Sequence, residues 1–379
     1  MKLSIYHRLK FIKLTVTLGM IASLLCCINL WAGERWFPLC PLFENFNINP
    51  PFDFILFGAE LLLLVILLFT PHPRLIVFLI LMVNVLLVFS DQNRLQPWFY
   101  LYNCLFLVLL FYNWRIDNIN LYQSVFVILQ LCIASVYVFS GLQKLNPNFV
   151  PETFSWFIKP LGRFVSERQM DILIKGGKMI PYLEMFIGFG LLVKPLRFIA
   201  IPMVIIMHVS ILILIGPLGN NYNMVVWPWN IVMIALSVFL FSGDHGERQF
   251  SPVHLFKMPV FYLVLALFWV LPVMNLKNRW ETYLSFSLYS GNNHNAKIIL
   301  SDKAYEKLPY YIRHFVRTEA ESRILYPKLW CLAELKAPLY PEKRIFEKVT
   351  SHVISLTATS QEDVKLVYIE KIKLFEAQP

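Results

Sequence analysis

From Asn118 to Gln143 the chain carries no charged residue, and the run ends on Lys144, with Asn146 and Pro147 close behind. A helix that crosses the hydrocarbon core needs about 20 predominantly apolar residues. The run therefore predicts a membrane helix over 119–143 that delivers one amine to the place where apolar surroundings end. Two readings of Lys144 stand at this point. As an anchor, its long side chain snorkels to the headgroups and fixes the helix end. As a functional group, its amine sits in a wet cavity near the membrane face, since ionisable residues at membrane depth are costly and tend to serve a function.

Composition places the whole chain in the same solvent. It is 57% hydrophobic and only 15% charged, with a mean hydropathy of +0.57, whereas soluble domains are about 25% charged. The net charge of +10 does not point to nucleic acid, because many basic residues lie near predicted membrane boundaries. No two of the six cysteines have CxxC spacing, so no metal is expected. Cys104 and Cys132 read as small packing residues in apolar helices, and Cys40 and Cys331 as candidates for a pair outside the membrane. The first apolar run is not followed by an A-x-A cleavage site and reads as a retained helix.

The expected fold is an all-α polytopic membrane protein. Nine helices are predicted, at about 12–32, 54–69, 75–90, 98–113, 119–143, 180–194, 198–215, 225–242 and 258–276. They form a transmembrane domain over 1–275, and 276–379 forms a small α+β extramembrane domain. The basic segment MKLSIYHRLKFIK sets the N-terminus in the cytoplasm, so an odd number of crossings puts the tail outside it. The basic, aromatic segment 145–179 conflicts with that rule and reads as lying in the headgroup plane. In the tail, YLSFSLYSGNN suggests a strand and turn, 303–337 a helical stretch, 341–352 a helix or loop, and 349–375 two short strands.

Threading these helices brings Glu60, Glu184, Lys144 and His208 to the outer half, with Asp91, Arg94 and Arg279 at outer ends. A charge at the bilayer centre costs roughly 2.5–3.5 kcal/mol on insertion scales. Several such groups on one side suggest a shared polar cavity; the alternative is plain ion pairs, Glu60 with Arg94 or Glu184 with Lys144. AELLLLVILLFTPHPR at 59–74 and LEMFIGFGLLVKPLR at 183–197 echo one another, which suggests a duplicated helical unit.

The segment YVFSGLQKLNPNF, through Tyr137, Ser140, Gly141, Lys144 and Leu145, resembles a stretch of the vitamin K-dependent gamma-carboxylase family, which includes the bacterial HTTM (horizontally transferred transmembrane) proteins. LGNNYNMVVWPWN, with Trp227, Pro228 and Asn230, is similar to the opening of a membrane helix in the same bacterial group, and WCLAELKAPLYPEKRIFEKV, with Tyr340 and Pro341, to its tail. The resemblance implies a bacterial cytoplasmic membrane, a reduced quinone as cofactor, and Lys144 as the base that deprotonates it. In that family, oxygenation of the quinol makes a strong base that takes the gamma proton of a peptide glutamate, and carbon dioxide adds. Trp98, Tyr137, Phe139 and Trp229 would frame the flat ring, although ordinary membrane packing accounts for them equally well. The animal enzyme has an Asn-His pair in an earlier helix, whereas the comparable stretch here, Asn93 to Trp98, has no histidine; His208 is the one histidine deep in a predicted span. The DQNRLQPW segment is also similar to DoxX-like quinone-linked membrane proteins.

Two functions follow as expectations. One is a quinol-dependent enzyme with Lys144, His208, Glu184 and Glu60 in its site, acting on a peptide or small molecule. The other is a non-catalytic assembly or scaffold subunit of a larger membrane complex. Transport fits less well, because the polar groups gather on one side only.

Overall fold

The computed structural model describes residues 5–43, 46, 48, 51–112, 114, 118–243 and 252–374. Each predicted apolar segment forms a helix there: α1 (Ile5–Cys26), α2 (Phe52–Phe69), α3 (Arg74–Ser90), α4 (Pro97–Leu110) and α5 (Ile119–Gln143). After α6 (Glu167–Gly176) come α7 (Ile180–Leu192), α8 (Arg197–Ile215), α9 (Val226–Phe241) and α10 (Pro259–Asn275). The boundaries have local causes. Asn118 caps α5 by accepting a hydrogen bond from the Leu121 N–H. Pro97 and Pro259 open their helices at positions where no backbone donor is needed.

Four of these helices, α1, α2, α5 and α8, are long and apolar enough to cross a membrane. That is fewer than the nine spans expected. Helices α3, α4, α9 and α10 are shorter apolar helices, and α7 has 13 residues. Punctuation shortens them: α7 stops at Val193, directly before Lys194 and Pro195, and α10 is interrupted by a π turn at Ala266–Val270.

Helix α5 is the centre of the bundle. Of its apolar window 83% is buried, against 28% for α2 and for the span containing α8. It packs on α1, α4, α7, α9 and α10. The tightest approach is to α7, and small residues allow it. A β-carbon on Gly141 would meet the Pro181 carbonyl oxygen at 2.5 Å, and one on Gly188 would meet the Ala134 carbonyl oxygen at 2.8 Å. Such small-residue seams let apolar helices pack where lipid offers no hydrophobic driving force.

The tail forms a four-stranded antiparallel sheet of β1 (Asn295–Leu300), β2 (Val316–Glu319), β3 (Ser322–Leu325) and β4 (Val364–Ile369), in the order β2-β3-β1-β4. Ile298 on β1 pairs with Leu325 on one side and Leu366 on the other. Helices α11 (Pro327–Leu335) and α12 (Lys343–Thr357) pack on it, burying Trp330, Phe346, Val349 and Val353. Several expectations for the tail are corrected. Tyr283–Ser285 is a 3-10 turn rather than a strand. The stretch 303–337 is broken by the β2–β3 hairpin, whose turn at Ala320 and Glu321 has left-handed backbone. The region after 349 is helical to Thr357 and then contributes one strand, not two.

The segment 91–96 clamps the tail to the bundle. Asp91 pairs with Arg35. Asn93 Oδ1 accepts from the Tyr340 N–H at 3.2 Å, Gln96 donates to the Pro338 carbonyl at 2.8 Å, and Arg344 donates to Gln92 at 2.8 Å. Arg94 is buried and donates to the carbonyls of Leu30, Trp31 and Leu87 and to Ser90 Oγ. The expected pair of Arg94 with Glu60 is therefore not formed. Cys40 and Cys331 are free thiols, so the suggested disulfide is absent. Residues 145–179 form short helical turns, among them Phe149–Phe154, Ser155–Ile158 and α6, which Ser166 and Gln169 open with a capping box. Residues 1–4, 115–117 and 244–251, parts of the segments expected inside, lie outside the described residues.

Candidate functional site

The C-terminal end of α5 presents Tyr137, Ser140 and Lys144 at helical spacing, so the three share one face. The close α5–α7 seam brings Glu184, one turn before Gly188, against that face. Lys144 Nζ lies 2.7 Å from Glu184 Oε2 and 2.7 Å from Ser140 Oγ, and it also reaches the Ser140 carbonyl at 3.3 Å. Both charged side chains are buried. The ammonium's donors are all used, and the pair removes most of the cost of placing either charge here.

A second polar chain stands on the same cavity wall. Asn230 Nδ2 donates to the Val226 carbonyl at 2.6 Å, which leaves Asn230 Oδ1 as the acceptor facing His208 Nδ1 at 2.7 Å. The imidazole therefore carries its proton on Nδ1. Its Nε2 then accepts from the Tyr137 hydroxyl at 2.9 Å, whose oxygen also lies 3.2 Å from Ser237 Oγ. Helices α5, α8 and α9 thus fix one tautomer of one buried histidine.

Both polar groups line a single cavity of about 410 Å³. Its remaining wall is mostly apolar, with Phe154, Phe157, Ile187, Met203 and Met233 among the lining residues, alongside Thr153, Ser210 and Tyr289. Leu183 and Ile206 line it too, and they are 41% and 66% exposed. The cavity thus reaches the apolar outer surface between α7 and α8.

Of the residues singled out in the sequence, Lys144, Glu184, His208, Tyr137 and Trp229 meet at this cavity. Glu60 does not. It is fully buried in α2, and neither carboxyl oxygen has a hydrogen-bond partner among the described residues. Phe139 turns to the other side of α5 and packs edge-on against Trp269 at 6.1 Å. Trp98 packs against Trp31, Phe99 and Tyr102 and lines a neighbouring cavity instead. Asp91 and Arg94 belong to the clamp. The sequence reading did not assign Ser237 or the bonding role of Asn230. Asn230 lies inside a quoted motif, but its partner His208 is on another helix, and no local pattern links the two.

Comparison with protein-family models, curated proteins and solved structures gives no match. Among the described residues, no group of three or more His, Cys, Asp or Glu side chains is arranged to hold a metal ion. Among the described residues the indole N–H of Trp229 has no acceptor, and the Lys144–Glu184 pair and the Tyr137–His208–Asn230 chain stand on a wall that is otherwise mostly apolar.

Proposed function

We propose that this protein is an integral membrane enzyme that binds a reduced quinone beside Lys144 and exchanges protons with it, in the manner implied by its likeness to the gamma-carboxylase and HTTM proteins. The observation that carries the reading is the meeting of the Lys144–Glu184 pair and the Tyr137–His208–Asn230 chain in one largely apolar cavity. The quinol would supply the redox chemistry. Tyr137 and Trp229 would orient its ring, His208 would hold a proton at Nδ1 and offer Nε2 through Tyr137, and Lys144 with Glu184 would share one mobile proton. The apolar mouth between α7 and α8 suits a ligand that arrives from lipid.

The same reading takes the shorter helices as crossing the membrane in a bundle with their neighbours, giving nine passages. The N-terminus is then cytoplasmic, the sheet domain extracytoplasmic, and the membrane a bacterial cytoplasmic one. The substrate that follows from the likeness is a peptide or small molecule outside the cytoplasm.

The ion pair itself favours a second reading, a non-catalytic membrane subunit in which Lys144 and Glu184 join α5 to α7. Titration of the purified protein with a short-chain naphthoquinol, followed by tryptophan fluorescence, separates the two. Saturable quenching that is lost in Trp229→Phe and weakened in Tyr137→Phe supports the enzyme. Failure of the wild-type protein to bind any quinol or quinone under reducing conditions rules it out.

A further inference from the structure

A second cavity, of about 180 Å³, lies where the start of α4, the segment before α9 and the sheet domain meet. It shares Val226, Trp229, Leu288 and Tyr289 with the first cavity. Its single charged wall residue is Lys328, in the first turn of α11. A cation there faces the positive end of the helix dipole, which disfavours it. Lys328 makes no hydrogen bond or ion pair among the described residues, and burial alone moves its ammonium down to about 8. At neutral pH it is therefore a charged group, half-buried in the cavity wall, with no acidic side chain on that wall.

The neutral groups around it are also incomplete. The Tyr222 hydroxyl has no partner among the described residues. The indole N–H of Trp98 has no acceptor among the described residues. No acidic side chain lines the cavity. A half-buried ammonium without a neighbouring carboxylate is a ready partner for an anion, and the wall itself supplies none.

We propose that this cavity binds a carboxylate, with Lys328 Nζ as the cationic contact and the Tyr222 hydroxyl as a neutral donor. A lone ammonium with neutral donors matches one negative charge. A phosphate dianion calls for a second cation or an arginine fork, and the wall has neither. The assignment does not depend on what occupies the Lys144 cavity.

The test uses the full chain in nanodiscs of zwitterionic lipid, with butyrate as the probe and butyramide and inorganic phosphate as controls, read by saturation-transfer NMR. The expected result is saturable butyrate binding that weakens roughly tenfold or more in Lys328→Met, about 1.4 kcal/mol or more. Butyramide and phosphate should not compete. Unchanged butyrate affinity in Lys328→Met, displacement by equal phosphate, or equal binding of butyramide would each overturn the assignment. Should Lys328→Met fail to fold, Tyr222→Phe carries the test. It removes one donor and should weaken butyrate about threefold, and unchanged affinity there also overturns the proposal.

Discussion

Gly188 lies against Val138 so closely that a β-carbon on the glycine would fall 2.5 Å from Val138 Cγ2 and 2.9 Å from the Val138 backbone nitrogen. This contact sets the distance between α5 and α7, and so the distance between Lys144 and Glu184 one turn away. Even alanine must shift backbone here. Gly188→Leu is expected to cost about 1–3 kcal/mol by overpacking and to separate the ion pair. Melting temperature and quinol affinity should fall together. A Gly188→Leu protein with wild-type stability would mean that the seam does not hold the site.

Lys144 has three distinguishable outcomes. Lys144→Ala leaves Glu184 buried and unpaired, which should destabilise by about 3–5 kcal/mol. Lys144→Met with Glu184→Met removes both charges and should recover most of that loss. If the amine also takes part in chemistry, the stable double variant remains inactive. Lys144→Arg keeps the charge and loses the ability to give up a proton. A stable and active Arg variant would confine Lys144 to a structural role.

The parts that were legible in the sequence were those set by local pattern. The uncharged run fixed α5 at both ends, because Asn118 caps it and the charge of Lys144 ends the apolar run. Tyr137, Ser140 and Lys144, spaced to share one helix face, line the cavity, whereas Phe139, Gly141 and Leu145 in the same segment do not. What failed depended on non-local contact. Glu60 and Glu184 look alike in the two echoed segments, yet only Glu184 has a glycine one turn later that admits it to α5. Arg94 reads as a partner for a carboxylate, but backbone carbonyls from the ends of two other segments satisfy it first. The β2–β3 hairpin was hidden because Ala320 and Glu321 take the left-handed turn without glycine or asparagine to announce it.

Glu60 is then expected to be dispensable. Both its oxygens are buried and have no hydrogen-bond partner among the described residues, and an unsatisfied buried polar group costs about 1–3 kcal/mol. Glu60→Met fills similar space without that penalty. It should raise the melting temperature and leave quinol affinity unchanged. A loss of binding with retained stability would return Glu60 to the site.

His294 supplies a pH test outside the bundle. Its Nδ1 accepts from the Tyr368 hydroxyl at 2.6 Å and from the Lys371 N–H at 3.2 Å. Protonation at Nδ1 would remove the bond from the Lys371 N–H and reverse the one with the Tyr368 hydroxyl. Burial, followed by the Lys371 ammonium, pushes this imidazole down to about 4 from an ordinary value of 6.5, while Glu370 and Glu281 oppose the shift and Lys328 adds to it. The unfolded chain therefore binds a proton near pH 6.5, and the folded chain does not until about pH 4. A histidine held neutral in this way contributes stability that is fully present above pH 6.5 and is lost as pH falls towards 4. Carboxylates elsewhere also lose stability in acid, so the informative quantity is the difference between the wild type and His294→Gln, which cannot titrate. The wild-type advantage in melting temperature should be largest at neutral pH and should shrink through pH 6 and 5. Parallel curves for the two proteins across that range would show that His294 titrates alike in the folded and unfolded states.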